Sequence, residues 1–79
     1  MKKIDKFLNK LTYKEREKIG RYLKLIKEGN FENLNLKKLT GFEHLYRVKT
    51  GDIRIIFFWE NQNIEIIALD RRNDNTYNL

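Results

Sequence analysis

The sequence predicts an α+β fold, an N-terminal helical hairpin packed on an antiparallel sheet. Three observations carry this. Apolar residues recur at helical spacing from Ile4 to Ile26. From Leu45 onward the apolar pattern becomes that of strands, broken by Gly51-Asp52 and by Asn61-Gln62. Helices come first and strands after, the order of α+β rather than of alternating α/β folds. The 79 residues have room for one domain, 1–79.

Residues 2–11 read as a short amphipathic helix, with Ile4, Phe7, Leu8 and Leu11 on one stripe. Thr12 followed by Glu15 is a capping-box signal for a second helix. Ile19, Tyr22, Leu23 and Ile26 give that helix its apolar stripe, and Gly29 suits the left-handed position that ends it. Its outward positions carry Lys14, Arg16, Lys18, Arg21, Lys24 and Lys27, partly balanced by Glu15, Glu17 and Glu28. Residues 30–44 read as irregular. Asn30, Asn33, Asn35 and Gly41 punctuate them, and Phe31, Leu34, Leu36 and Leu39 are placed to anchor the segment to the core.

Leu45–Thr50 is the first expected strand, and Thr50-Gly51-Asp52 supplies a tight turn. Ile53–Glu60 is the second. Its near-continuous apolar run suits a central strand at least partly covered on both faces. After a turn at residues 60–63, Ile64–Asp70 is the third. The expectation is a three-stranded meander, four-stranded if a further strand joins it, with helices on one face and the other face open to hold a site.

Composition narrows the function. There is no cysteine and one histidine, so disulfides and Cys- or His-rich metal sites are excluded. The longest run without a polar residue, Ile55 to Trp59, is far too short to span a bilayer. Asp5, Lys6 and Asn9 interrupt any apolar stretch of a signal peptide. The expected location is therefore a reducing cytoplasm. The formal charge is +6, unevenly placed. Residues 1–40 hold 12 Lys/Arg against 5 Asp/Glu, and residues 41–79 hold 5 against 6. Such a basic excess favours a polyanion through phosphate contacts and counterion release, and is equally the mark of a solvated lysine-rich helix surface.

Arg47 and Lys49 are two apart on one strand and so share a face. A two-residue turn at Gly51-Asp52 sets Lys49 opposite Arg54 and Arg47 opposite Ile56, whereas a turn at Thr50-Gly51 sets Arg47 opposite Arg54. In either register three cations point to one side. Like charges in cross-strand reach repel, so the cluster gains nothing for the fold unless an anion fills it. Asp70-Arg71-Arg72 and Tyr77 follow the last strand. A two-residue turn at Asn61-Gln62 gives residue 71 the parity of Arg54.

The stretch Leu39-Thr40-Gly41-Phe42-Glu43-His44-Leu45-Tyr46-Arg47-Val48-Lys49-Thr50-Gly51-Asp52-Ile53-Arg54-Ile55-Ile56-Phe57 resembles the core pattern of RelE/ParE-type toxins. That pattern has a leucine-glycine loop, a Tyr-Arg-x-basic strand, a Gly-Asp turn and an arginine opening an apolar strand. The basic residues shortly before a tyrosine at the end and the preceding helical hairpin are also similar, so the resemblance covers almost the whole chain. It implies a toxin of a type II toxin–antitoxin system, held inactive by a cognate antitoxin, that acts as a ribosome-dependent endoribonuclease on mRNA. By position, Arg47, Lys49, Arg54, Arg72 and Tyr77 match the catalytic residues of the RelE-like branch. Arg71 stands in the neighbouring, usually basic or His, position. Arg71, Lys37 and Lys38 are the further cations expected to contact RNA. The resemblance implies no cofactor, and Asp52, Glu65, Asp70 and Asp74 form no recognisable metal motif.

The chemistry suits these residue types. The ribose 2′-OH must lose its proton, the phosphorane charge must be stabilised and the 5′-oxygen must be protonated as it leaves. Lys49 is the candidate base, since flanking cations such as Arg47 and Arg54 disfavour a charged ammonium. Arg54 suits a bidentate grip on phosphate oxygens. Arg72, or Arg71, suits electrostatic stabilisation of the leaving oxygen. Tyr77 suits stacking on a base.

The chain opens on a helix where many relatives open on a strand, which leaves one sheet edge open or covered by something else. It ends two residues after Tyr77, without the terminal helix some members carry. Two alternatives remain on the same fold: a noncatalytic ParE-like inhibitor of DNA gyrase, and an inactive RNA-binding relative. His44 is expected at the surface or in a loop. Trp59, Phe57 and Phe58 are expected in the core or at an antitoxin-facing surface.

Overall fold

The structure is a computed structural model and describes residues 3–71. Helix α1 spans Lys3–Asn9 and helix α2 spans Tyr13–Lys27. Between them the Thr12 N–H donates to Glu15 Oε1 at 3.1 Å and the Glu15 N–H donates to Thr12 Oγ1 at 3.2 Å, the reciprocal capping box expected from Thr12 and Glu15. The Arg16 guanidinium donates to the carbonyls of Leu8 and Leu11 and so ties the end of α1 to the start of α2. At the far end of α2, Gly29 has φ +74°, its N–H donates to the Ile26 carbonyl, and the Asn30 N–H donates to the Leu25 carbonyl. That pair of bonds is a Schellman motif, which glycine favours because it has no Cβ to clash at positive φ.

Four strands follow: β1 (Leu36–Lys38), β2 (Leu45–Thr50), β3 (Ile53–Glu60) and β4 (Asn63–Arg71). They form one antiparallel sheet in the order β1-β2-β3-β4. The short β1 lies in the segment read from sequence as irregular. It pairs Leu36 with Val48 and Lys38 with Tyr46, and so covers the β2 edge that a three-stranded meander leaves open. Asn35 and two lysines flank or fill this strand, residues depleted in strands, so its pairing depends on the edge presented by β2 rather than on local preference.

Alternation along β2 and β3 divides the sheet into two faces. Val48, Ile53, Ile55 and Phe57 point to the helix side and are buried with Ile19, Ile26, Leu11 and Leu69. Both helices lie against β4. Phe31, Leu34 and Leu36 close the core beside β2. Rings of Phe31, Tyr46, Phe57 and Trp59 pack with centroids 4.6–5.9 Å apart, so Phe57 and Trp59 belong to this apolar layer. Among the described residues no helix is long and apolar enough to cross a membrane.

Candidate active site

The site lies on the face turned away from the helices. Thr50 pairs with Ile53, so the turn is Gly51-Asp52, with Gly51 at φ +60° in the first turn position. Two-residue hairpins of the II′ kind place glycine there because the twist of the flanking strands demands positive φ. Of the two registers open in the sequence, this one sets Lys49 opposite Arg54 and Arg47 opposite Ile56. Strand β1 extends the second row, placing Lys37 opposite Arg47.

Two cationic rows result. One runs Lys49, Arg54, Asp70 and the other runs Lys37, Arg47, Ile56, Ala68. Adjacent same-face rows are separated by two residues, about 6.8 Å along the strands. Lys49, Arg47 and Arg54 are half-buried, and Lys37 is exposed. Arg47 Nε is buried, and among the described residues it has no hydrogen-bond acceptor. A buried donor without an acceptor costs about 1–3 kcal/mol. An anion resting on this face would supply what Arg47 lacks. Lys38 sits opposite Tyr46, so it has the parity of the helix side, exposed at the sheet edge.

The last strand departs from its expected register. Glu60 pairs with Asn63, confirming a two-residue turn at Asn61-Gln62, but the pairing slips by one residue between Ile56 and Phe57. Phe57 faces Ile66 while Ile56 faces Ala68, leaving Ile67 as the extra residue of a β-bulge, 48% exposed. The slip reverses every parity beyond it. Asp70 comes to lie opposite Arg54 where an unbroken register would set Leu69, and Arg71, expected to share the face of Arg54, turns to the helix side opposite Ile53. The sequence carries a trace of this. The core-facing residues of β4 run Ile64, Ile66, Leu69, and the jump from a spacing of two to three marks the bulge.

The two arginines thus acquire different partners. Arg54 Nε donates to Asp70 Oδ1 at 2.9 Å and Nη2 donates to Oδ2 at 3.2 Å, a bidentate pair. Arg71 Nη1 donates to Asp52 Oδ2 at 2.8 Å and Nη2 donates to Glu15 Oε2 at 3.1 Å, joining the β2–β3 turn to the start of α2. The hydrogen bond to Asp52, then that to Glu15, raises the Arg71 pKa above its ordinary value. Glu15 is held below the usual carboxylate range, first by the Thr12 backbone N–H and then by Arg71. Asp70 is the residue at this site that sequence reasoning missed, since its role depends on the bulge.

His44 precedes β2, its Nε2 lies 3.0 Å from Glu60 Oε2, and its ring meets the edge of Phe58. It is off both cationic rows. Arg72 and Tyr77 lie outside the described residues. Among the described residues no group of three or more His, Asp or Glu side chains is placed to hold a metal ion.

No protein-family model matches the chain, and no curated protein sequence matches it. Among solved structures it is similar to a chain of the crystal structure of the RelB-RelE antitoxin-toxin complex from Methanococcus jannaschii, with a TM-score of 0.77 and 20% identity. The likeness spans 99% of this chain and 93% of that one. At that identity the likeness speaks for architecture, and the architecture is RelE-like: a helical pair on one face of a four-stranded antiparallel sheet, with the opposite face open and basic.

Proposed function

We propose that this chain is a cytoplasmic toxin of a type II toxin–antitoxin pair that cleaves mRNA in the ribosome without a metal. The observation that carries the reading is the open face of the sheet, where Lys37, Arg47, Lys49 and Arg54 converge in two rows. A fold gains nothing from packing like charges opposite one another. A polyanion with regularly spaced phosphates converts that repulsion into binding energy. The RelE-like architecture and the toxin-antitoxin complex formed by its structural neighbour support the same reading.

In this mechanism Lys49 takes the proton from the ribose 2′-OH. Arg54 and Arg47 stabilise the charge that builds on the phosphorane oxygens, an electrostatic role of the kind worth about 10²–10³ in rate when one donor is removed. Of the two C-terminal arginines, Arg72 is assigned the leaving 5′-oxygen, because the Arg71 guanidinium is engaged by Asp52 and Glu15 on the other face. Tyr77 orients a base by stacking. Lys37 and Lys38 add phosphate contacts at the β1 edge. A cognate antitoxin is the proposed protein partner.

The test is induced expression of the wild type and of Arg54→Ala in a bacterial host, followed by mapping of mRNA ends. Growth arrest by the wild type, with cuts in the decoding site and relief by Arg54→Ala at equal soluble yield, is the expected result. Equal arrest by both proteins, with intact mRNA, overturns the reading and favours a gyrase-type target.

A further inference from the structure

We propose that Asp70 is the positioning residue for Arg54, holding the guanidinium in the orientation from which it grips the reacting phosphate. This rests on the reading of the open face as an RNA-cleaving site.

The first argument is that the ion pair is not needed to hold the strands. Arg54 and Asp70 are direct cross-strand partners in β3 and β4, which are already joined along the length of both strands by backbone pairing. The Arg71 pair is different, because it ties a turn to a helix that no backbone bond connects. A pair between residues already fixed opposite each other contributes little to folding, and what it does determine is where the side chain points.

The second argument is geometric. A guanidinium has five N–H donors in a rigid planar fork, and a bidentate carboxylate on one edge fixes the plane and direction of the rest. Asp70 takes Nε and one hydrogen of Nη2, two of the five. An arginine side chain is otherwise rich in rotamers, and immobilising it beforehand removes that cost from the transition state. The Arg54 side chain is 28% exposed and that of Asp70 45%, so the pair sits at the surface where a phosphate arrives rather than beneath it.

The third argument is the bulge. The extra residue at Ile67 is what brings a carboxylate beside Arg54, since an unbroken register sets Leu69 there. Bulges frequently re-aim side chains next to active sites. Asp70 also lies in the row of Lys49, so its charge is the one anion among the paired residues of that cationic row.

The experiment is single-turnover cleavage of mRNA on programmed ribosomes by the wild type, Asp70→Asn, Asp70→Glu, Arg54→Ala and the Arg54→Ala/Asp70→Asn double variant. The folded fraction of each is checked by circular dichroism. Asp70→Asn is expected to lower the saturated cleavage rate at least tenfold. Its half-saturating concentration is expected to stay unchanged or fall, because the site gains positive charge. Asp70→Glu should recover part of the rate, and Asp70→Asn should have no further effect once Arg54 is gone. The proposal is overturned if Asp70→Asn cuts at the wild-type rate. It is equally overturned if its loss follows the folded fraction, or if the same loss appears on top of Arg54→Ala. A wild type that makes no cuts overturns the proposed function and this inference with it, and that failure is visible before any variant is compared.

Discussion

The two faces of the sheet are made by alternate residues of the same strands and obey opposite rules. On the helix side, Val48, Ile53, Ile55 and Phe57 are buried and packed against Ile19, Ile26 and Leu69. On the open side, Arg47, Lys49 and Arg54 interleave with them and are half-buried, with Arg47 opposite Lys37 of β1 and Lys49 opposite Arg54. The helix side is optimised for packing. The open side concentrates like charge at the expense of stability. Substitutions on the first should therefore cost the fold, and those on the second should cost function while leaving the fold intact or better.

The sharpest way to break that contrast is Phe57→Ala. Phe57 is fully buried and stacks near Phe31 and Tyr46. Its truncation is expected to cost about 3–5 kcal/mol by denaturant unfolding. In a chain this small that approaches the whole of its stability. A loss below about 1 kcal/mol means that the layer does not hold the fold as described. Next comes Arg54→Ala on the open face. Cleavage on programmed ribosomes is expected to fall about 10²–10³-fold. Its melting temperature should change far less than that of Phe57→Ala, and parallel losses in rate and stability erase the distinction between the faces.

A smaller effect is expected where α2 begins. Thr12→Ala removes the capping-box acceptor seen by the Glu15 N–H and should cost about 1 kcal/mol. Acid titration of stability probes the same junction. Glu15 has a depressed pKa in the folded chain, through the Thr12 N–H first and Arg71 second. Its contribution is therefore present above the ordinary value of 4.5 and is lost as pH falls through the lower folded value. Glu15→Gln should lower the melting temperature in the neutral range, where that contribution is present, and flatten the acid limb so that the two proteins converge at low pH.

The smallest effect is on the cationic face itself. Lys49→Gln removes one of two like charges directly opposite each other. It should leave stability unchanged or raise it by up to about 0.5 kcal/mol, the gain shrinking as salt screens the repulsion. The same variant should abolish most cleavage if Lys49 is the base. Destabilisation by Lys49→Gln would mean that the residue is structural and that the faces do not divide as argued.

Much of this was legible before any coordinates. Thr12 and Glu15 named the start of α2, Gly29 its end, and Gly51-Asp52 the turn that brings Lys49 and Arg54 together. Those features are local, so their physical causes sit within a few residues of sequence. The choice between the two hairpin registers was narrowed but not made. The turn settles it, because Gly51, at φ +60°, takes the first turn position, which a Thr50-Gly51 turn would give to the β-branched Thr50. β1 was missed because Leu36–Lys38 has weak strand preference and forms against the edge of a separate strand, β2, rather than from its own residues. The parity of Asp70 and Arg71 was reversed by a single extra residue at Ile67.

By itself, then, the sequence determined the α+β order, the capped second helix, the alternation that separates apolar from basic side chains, and the turn that clusters the cations. Those follow from periodicities of 3.6 and 2 and from backbone preferences that each residue carries with it. Only the tertiary structure decided that a fourth strand closes the β2 edge, that Arg54 is gripped by Asp70, and that Arg71 staples α2 to the β2–β3 turn. Those depend on which strand edge is left unpaired and where a bulge shifts the pairing. Both are properties of strands already packed together, and no single segment carries them alone.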